Sequence, residues 1–215
     1  MLQKAKLMED KPLVYVVDDD EAVRDSLGML LGSLGLECEV HESAQQFLER
    51  YDPERHSCLI SDIRMPQLSG LELQQRLAED DAAIPIIFIT GHGDVPMAVK
   101  AIQAGAADFI QKPFRDQDLI DRIHKALQFD KEQRAERRQE MAFRECLKTL
   151  TPREMEVMQR VVSGQANKVI AMDLGVSPRT VELHRARVMR KLKLRSVAAL
   201  VKAVSKISLP EQAKT

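Results

Sequence analysis

The chain has 215 residues, with 32 Lys and Arg against 33 Asp and Glu, 44% apolar side chains and three cysteines. That length holds two small domains and that apolar fraction suits a soluble globular protein, while no run reaches the roughly 18 apolar residues of a membrane span. Cys38, Cys58 and Cys146 are widely spaced and form no CxxC, which argues against a disulfide framework or zinc site and for a reducing cytoplasm.

The opening stretch MLQKAKLMEDKP has basic residues but no apolar core behind them, so it does not read as a secretory signal. Residues 13–17, LVYVV, are a buried-strand signal, and Asp18, Asp19 and Asp20 follow directly. Further strand-like runs lie at 58–60 and 84–89, with a weaker alternating one at 36–41 and a short one at 108–110. Amphipathic stretches at 21–34, 43–50, 70–79, 95–104 and 116–127 separate them, and Ser43 with Gln46 resembles a capping box. Strictly alternating strands and helices predict a parallel sheet covered on both faces. Five of each fit the doubly wound, flavodoxin-like plan, whose ligands sit outside the carboxyl ends of the strands.

The strand ends carry the chemistry. The first ends in three carboxylates, the third in Asp62, the fourth in Thr90, and the fifth leads to Lys112 before Pro113. Converging carboxylates repel one another, and hard oxygen donors with a few waters describe a Mg²⁺ site. Asp62 is a candidate nucleophile toward phosphorus, and Lys112 can pair with a phosphoryl group as a point charge. Taken alone, Asp62 reads as an ordinary loop acid; four strand ends together reverse that preference. No GxxxxGK[ST] cradle for a nucleotide occurs. His92 stands between glycines and reads as loop structure, not as a ligand.

Residues 129–147 carry no Gly or Pro and alternate in charge sign, which predicts a solvated helix able to continue from the one ending near Leu127; its thin apolar content favours a spacer over a short dimerising seam. Charge then changes character. Residues 1–128 hold 13 basic against 23 acidic side chains, whereas 148–208 hold 13 against 4. A basic third on an acidic chain implies a polyanionic partner. Thr151, Pro152 and Glu154 form a helix start, and a short helix near 166–173 ends before Gly175. Ser177 and Pro178 then open a basic helix through 192, and a fourth helix follows near 196–207: a helix-turn-helix.

On the basic helix Val181, His184, Val188 and Leu192 recur at core spacing, with Arg179, Glu182, Leu183, Ala186 and Arg190 on the other stripe. Such a helix fits the major groove of DNA. Glu182 would repel phosphates but can accept from cytosine N4; Arg185, Arg187, Lys191 and Lys168 suit phosphates. The candidate DNA-contacting set is Lys168, Ser177, Arg179, Thr180, Glu182, Leu183, His184, Arg185, Arg187 and Lys191.

The acidic cluster, Asp62, Thr90 and Lys112-Pro113, together with ITGHGDVPMAVKAIQAGAADFIQKPF, resemble the receiver domain of two-component response regulators of the FixJ type. SPRTVELHRARVMRKL is similar to the LuxR/NarL-type tetrahelical DNA-binding domain. The resemblance implies an α/β receiver at 11–128, a helical linker at 129–147 and an all-α helix-turn-helix domain at 148–208. It implies Asp62 as phosphoacceptor, with Asp19, Asp62 and the Arg64 carbonyl as Mg²⁺ ligands and Asp18 joining them mostly through water. Thr90 and Phe109 would act as switch residues, and Lys112-Pro113 would be cis. The implied partners are a sensor histidine kinase, promoter DNA, RNA polymerase and a second copy docked through the 95–110 surface. The implied function is transcriptional control, by family habit activation, in the cytoplasm. The protein would act as no enzyme beyond phosphoryl transfer to its own Asp62 and slow hydrolysis there. A phosphatase of the haloacid type would need an acid two residues past Asp62, where Arg64 stands. The cap and groove-fitting spacing at 177–192 argue against a phosphorylation-controlled adaptor for protein or RNA. The intact set of Asp19, Asp62, Thr90 and Lys112 argues against a DNA binder indifferent to phosphorylation.

Overall fold

The computed structural model describes residues 11–91 and 95–207. The opening stretch before Lys11, His92 and Ser208 lie outside these residues.

The first compact unit ends at Arg134. Its strands are β1 (Leu13–Val17), β2 (Glu37–His41), β3 (Ser57–Asp62), β4 (Ile86–Thr90) and β5 (Asp108–Gln111). They form one parallel sheet in the order β2-β1-β3-β4-β5. The helices are α1 (Glu21–Ser33), α2 (Ala44–Arg50), α3 (Gly70–Glu79), α4 (Val95–Gln103) and the beginning of α5 (Asp116–Lys148). Successive strand side chains point to opposite faces, which gives two cores. Tyr15, Val17, Leu59 and Phe88 pack with Phe47, Leu73, Leu77 and Ala101 from α2, α3 and α4. Val14, Val16, Cys58, Ile60, Ile87 and Ile89 pack with Leu27, Leu31, Leu119 and Ile123 from α1 and α5. The expected doubly wound flavodoxin-like receiver fold is therefore what forms.

Local differences have local causes. β4 begins at Ile86 rather than 84, because Pro85 has no amide hydrogen for the ladder and contributes only its carbonyl, to the Leu59 amide. The Ser43–Gln46 box closes on one side only. Ser43 accepts from the Gln46 amide, while the Gln46 side chain reaches the amide of Glu42, one residue before the cap. A full capping box does form at Ser69 and Glu72.

α5 joins two of the expected segments, as the lack of a breaker between them implied. The helix expected at 116–127 and the spacer expected at 129–147 are one 33-residue helix with no Gly or Pro to break it. Its middle belongs to the first unit. Buried Asp130 accepts from the Ser57 amide at 3.1 Å, at the start of β3, and from Arg134 at 2.7 Å. Its last turns belong to the second unit, where Phe143, Cys146 and Leu147 pack into the core.

That second unit, from Ala135, adds α6 (Pro152–Val162), α7 (Asn167–Leu174), α8 (Pro178–Lys191) and α9 (Val197–Ser205). Val157, Met158, Ile170, Val181, Val188 and Leu200 form its core. Thr151 with Glu154, Ser177 and Ser196 cap α6, α8 and α9 through their side chains. Gly175, at φ 63°, ends α7 in the left-handed conformation that a side chain disfavours.

Candidate functional site

The register of the sheet builds the first site. Val17 pairs with Ser61, so Asp18 and Asp62 are the next residues along two adjacent strands. Asp62 pairs with Ile89, which sets Thr90 one residue beyond, and the Lys112 amide donates to the Thr90 carbonyl at 2.7 Å. Parallel strands bring their carboxyl ends to one rim, so residues almost a hundred positions apart converge.

Lys112 is the counter-charge there. Its Nζ donates to Asp18 Oδ2 at 3.0 Å and lies 3.6 Å from Asp62 Oδ1. Asp18 is buried, and its other oxygen accepts from the Asp20 amide at 2.9 Å. Asp62 accepts from the Arg64 amide at 3.2 Å. Burial pushes the Asp62 carboxyl above its ordinary range; Lys112 opposes that shift and Asp18 adds to it. Thr90 is buried and its hydroxyl donates only weakly, to the Gly91 carbonyl at 3.4 Å. Phe109 is half-buried against the core of the α2, α3 and α4 face. The Lys112-Pro113 peptide is cis. On α4, Val99 and Ile102 are exposed apolar side chains within the 95–110 surface.

Two further residues shape this rim, and neither is conspicuous in the sequence. A Cβ at Gly70 would meet the Asp62 carbonyl oxygen at 2.3 Å and a Phe88 ring carbon at 2.8 Å, so only glycine lets α3 begin this close to Asp62. The S-x-x-E pattern at 69–72 was the available signal for that helix start. Arg24 turns back from α1, and its Nη1 donates to the carbonyls of Asp18 at 2.8 Å and Asp19 at 3.0 Å. A side chain bonding main chain leaves no sequence pattern.

The ten candidate DNA-contacting residues divide into two groups. Lys168, Arg179, Glu182, Leu183 and Arg187 are exposed, with Leu183 at 51%. The remaining five are engaged or half-buried within the unit. Ser177 caps α8 and shares a 2.8 Å hydrogen bond with Thr180, and Arg185 donates to the Asn167 side chain. Half-buried His184 has a buried Nδ1 without a hydrogen-bond partner among the described residues. Lys191 donates to Glu154 at 2.5 Å and to the Thr149 carbonyl at 2.9 Å. Glu154 is buried, and the Lys191 hydrogen bond and the Thr151 amide hold its carboxyl down to about 2. Lys191 therefore spends its charge on the domain's own core, a structural role that its place on a basic helix does not announce. Arg190, Lys193 and Arg195 are exposed cations in the same region.

Residues 14–124 match the response regulator receiver domain family, and residues 148–204 match the bacterial regulatory proteins of the luxR family. The chain is 45% identical over 192 residues to nodulation protein W of Bradyrhizobium diazoefficiens, covering 89% of this chain and 85% of that protein. It is 47% identical over 189 residues to the transcriptional regulatory protein FixJ of Rhizobium meliloti, covering 88% and 93%. Among solved structures, the response regulator StyR superposes with a TM-score of 0.79 at 47% identity, over 92% of this chain and all of that one.

Proposed function

Because the chain belongs to the two-component response regulators that join a receiver domain to a LuxR-family DNA-binding domain, we propose that phosphorylation of Asp62 controls promoter binding by the 148–208 region. The family is one of transcriptional regulators and not of classical enzymes; its receiver domain implies a sensor kinase, and its second domain implies DNA. No helix among the described residues is long and apolar enough to cross a membrane. Acting on promoter DNA, the protein would operate in the cytoplasm.

The observation that carries this reading is the convergence of Asp18, Asp62, Thr90 and Lys112 on one rim. A carboxylate oxygen of Asp62 attacks the phosphorus of a phosphohistidine on the sensor kinase. The P–N bond breaks as the P–O bond forms, and the leaving imidazole takes up a proton. Slow attack of water on the phosphorus breaks the P–O bond to Asp62, releasing inorganic phosphate and returning the carboxylate. Among the described residues no group of three or more His, Cys, Asp or Glu side chains stands placed to hold a metal ion. Mg²⁺ asks for less: one or two carboxylates, a carbonyl and waters, all hard oxygens. Asp19, Asp62 and the Arg64 carbonyl supply such donors and would hold it, with Asp18 acting mostly through water, and the bound ion would supply counter-charge to the phosphoryl oxygens. Lys112 pairs with the new phosphoryl group and Thr90 hydrogen-bonds it, drawing inward while Phe109 repacks. The altered 95–110 surface, with Val99 and Ile102 exposed, then forms a homodimer, which presents two α8 helices to two half-sites about one helical turn apart. RNA polymerase is the onward partner.

The domains follow as a receiver at 11–128, a linker at 129–147 and a DNA-binding domain at 148–208, with Asp130 tying the first linker residues to the receiver. The test is a pull-down of fragmented genomic DNA by the full chain with Mg²⁺, with and without beryllofluoride as a phosphoryl mimic, beside Asp62→Asn. Enrichment of a two-fold symmetric site only with the mimic, and lost in Asp62→Asn, is the expected result. Equal enrichment in every arm uncouples the receiver from DNA; no enrichment in any arm overturns the DNA-binding role.

A further inference from the structure

The three consecutive acids after β1 are held in unequal ways. Asp18 is fixed at both oxygens, by the Asp20 amide and by Lys112. Asp20 is fixed as the cap of α1, accepting from the Ala22 amide at 2.9 Å. Asp19 is exposed, and among the described residues its carboxylate accepts no hydrogen bond. Only its main chain is held, which sets where the side chain departs and leaves its own rotation to the ligand it meets. That backbone is held by Arg24, one of whose nitrogens spans the carbonyls of Asp18 and Asp19. Fixing two successive carbonyls fixes the torsions between them, and with those the Cα–Cβ bond of Asp19.

We propose that Arg24 is a positioning residue for the cation site: its two hydrogen bonds to the main chain fix the point and direction from which the Asp19 side chain reaches a divalent cation. The inference rests on the acid rim being a Mg²⁺-dependent phosphoacceptor site. It is distinguishable from a plain charge effect by sign. A guanidinium beside carboxylates repels a cation by Coulomb's law, so if charge were its whole contribution, removing it would tighten Mg²⁺ binding. If positioning dominates, removing it weakens binding although the local charge has become more negative. Partners that orient metal ligands without touching the metal are worth roughly 10- to 100-fold in affinity, enough to override one partly solvated charge.

The experiment is a Mg²⁺ titration of the full chain, read as the rise in thermal midpoint with cation concentration. It compares the parent chain, Arg24→Met, Arg24→Lys and Asp62→Asn. A ligand that binds only the native state raises the midpoint according to its Kd, whereas a general loss of stability lowers every point equally and leaves the increment unchanged. The expected result for Arg24→Met is an apparent Mg²⁺ Kd weakened by about tenfold. Arg24→Lys, which keeps charge and donors on a shorter reach, should recover part of that loss. A tighter or unchanged Kd in Arg24→Met overturns the proposal while leaving the acid rim as the cation site. A parent chain whose midpoint ignores Mg²⁺, as Asp62→Asn would then also do, overturns the rim reading and this inference with it.

Discussion

The receiver rim and the α8 face solve the same problem, placing charges for a partner, in opposite ways. At the rim the polar groups come from four strand ends, and the topology of a parallel sheet collects them. On α8 they come from one continuous helix, and its periodicity spreads them. Collection makes the rim interdependent: Lys112 neutralises acids on two other strands, and Gly70 leaves the room in which Asp62 sits. Spreading makes the helix divisible. Arg187 is exposed, while Lys191, one turn further on, is bound to a buried acid. A cation's type and spacing do not reveal which of these it is; its partner does.

The largest effect expected from breaking this contrast is at Gly70. Gly70→Ala forces a Cβ against the Asp62 carbonyl and Phe88, neither of which is a flexible side-chain tip. Overpacking of that kind costs about 3 kcal/mol, read as a lower urea midpoint of the receiver. The shift of Asp62 that relieves the clash should also abolish beryllofluoride-dependent DNA enrichment. A stable variant with an intact response would mean that the rim tolerates movement better than its interlocked contacts imply.

Next in size is Lys191→Met. It leaves the Glu154 carboxylate buried with only the Thr151 cap as partner, and removing one member of a largely buried pair costs about 2 kcal/mol when the other side is part-exposed. The readout is the midpoint of the DNA-binding unit within the full chain. If stability holds and only DNA binding falls, Lys191 belongs with the phosphate-contacting cations.

The two regions also differ in how far the sequence discloses them. Alternation of apolar runs with amphipathic stretches identifies all five strands: the central β1, β3 and β4 are nearly continuous apolar runs because both their faces are covered, while β2 and β5, at the sheet edges, leave only a weaker and a shorter trace. Once the sheet is parallel, convergence of Asp18, Asp62, Thr90 and Lys112 needs no further information. The stripe of α8 is equally legible: Val181 and Val188 are buried, and Arg179, Glu182 and Leu183 are exposed. What escapes is each pairing between distant chain segments or with main chain. Asp130 holds an amide 73 residues away, Lys191 an acid 37 residues away, and Arg24 two carbonyls. None of these leaves a periodic trace. The continuity of α5 is legible, since no Gly or Pro interrupts it, but its anchors are not: Asp130 in the middle and Leu147 at the end are isolated in a charged stretch.

Glu154 sharpens the contrast by pH. Its carboxyl sits near 2 in the folded chain, below the ordinary value of 4.5, chiefly because Lys191 bonds it. A depressed folded value stabilises the native state fully above pH 4.5, and that contribution disappears as pH falls toward 2. The stability difference between the parent chain and Glu154→Gln should therefore be constant above about pH 5 and shrink steadily below it. A difference that does not shrink on acidification would mean that Glu154 acts through packing and cap geometry and not through its charge.

The smallest effect concerns the exposed cations. Arg187 stands on the outward face of α8, so Arg187→Met should leave the unfolding midpoint within about 0.5 kcal/mol. Its cost should appear only on DNA. A lost phosphate contact releases one fewer counterion, so the slope of log affinity against log salt should become shallower by about 1, with similar weakening for all sequences. Leu183→Ala makes the matching control: an exposed apolar side chain can meet a thymine methyl but no phosphate, so its loss should leave the salt slope alone and relax preference at one base pair. If both variants changed the slope alike, the division of α8 into phosphate-holding and base-reading positions would fail, and the helix would be better described as a uniformly basic rod.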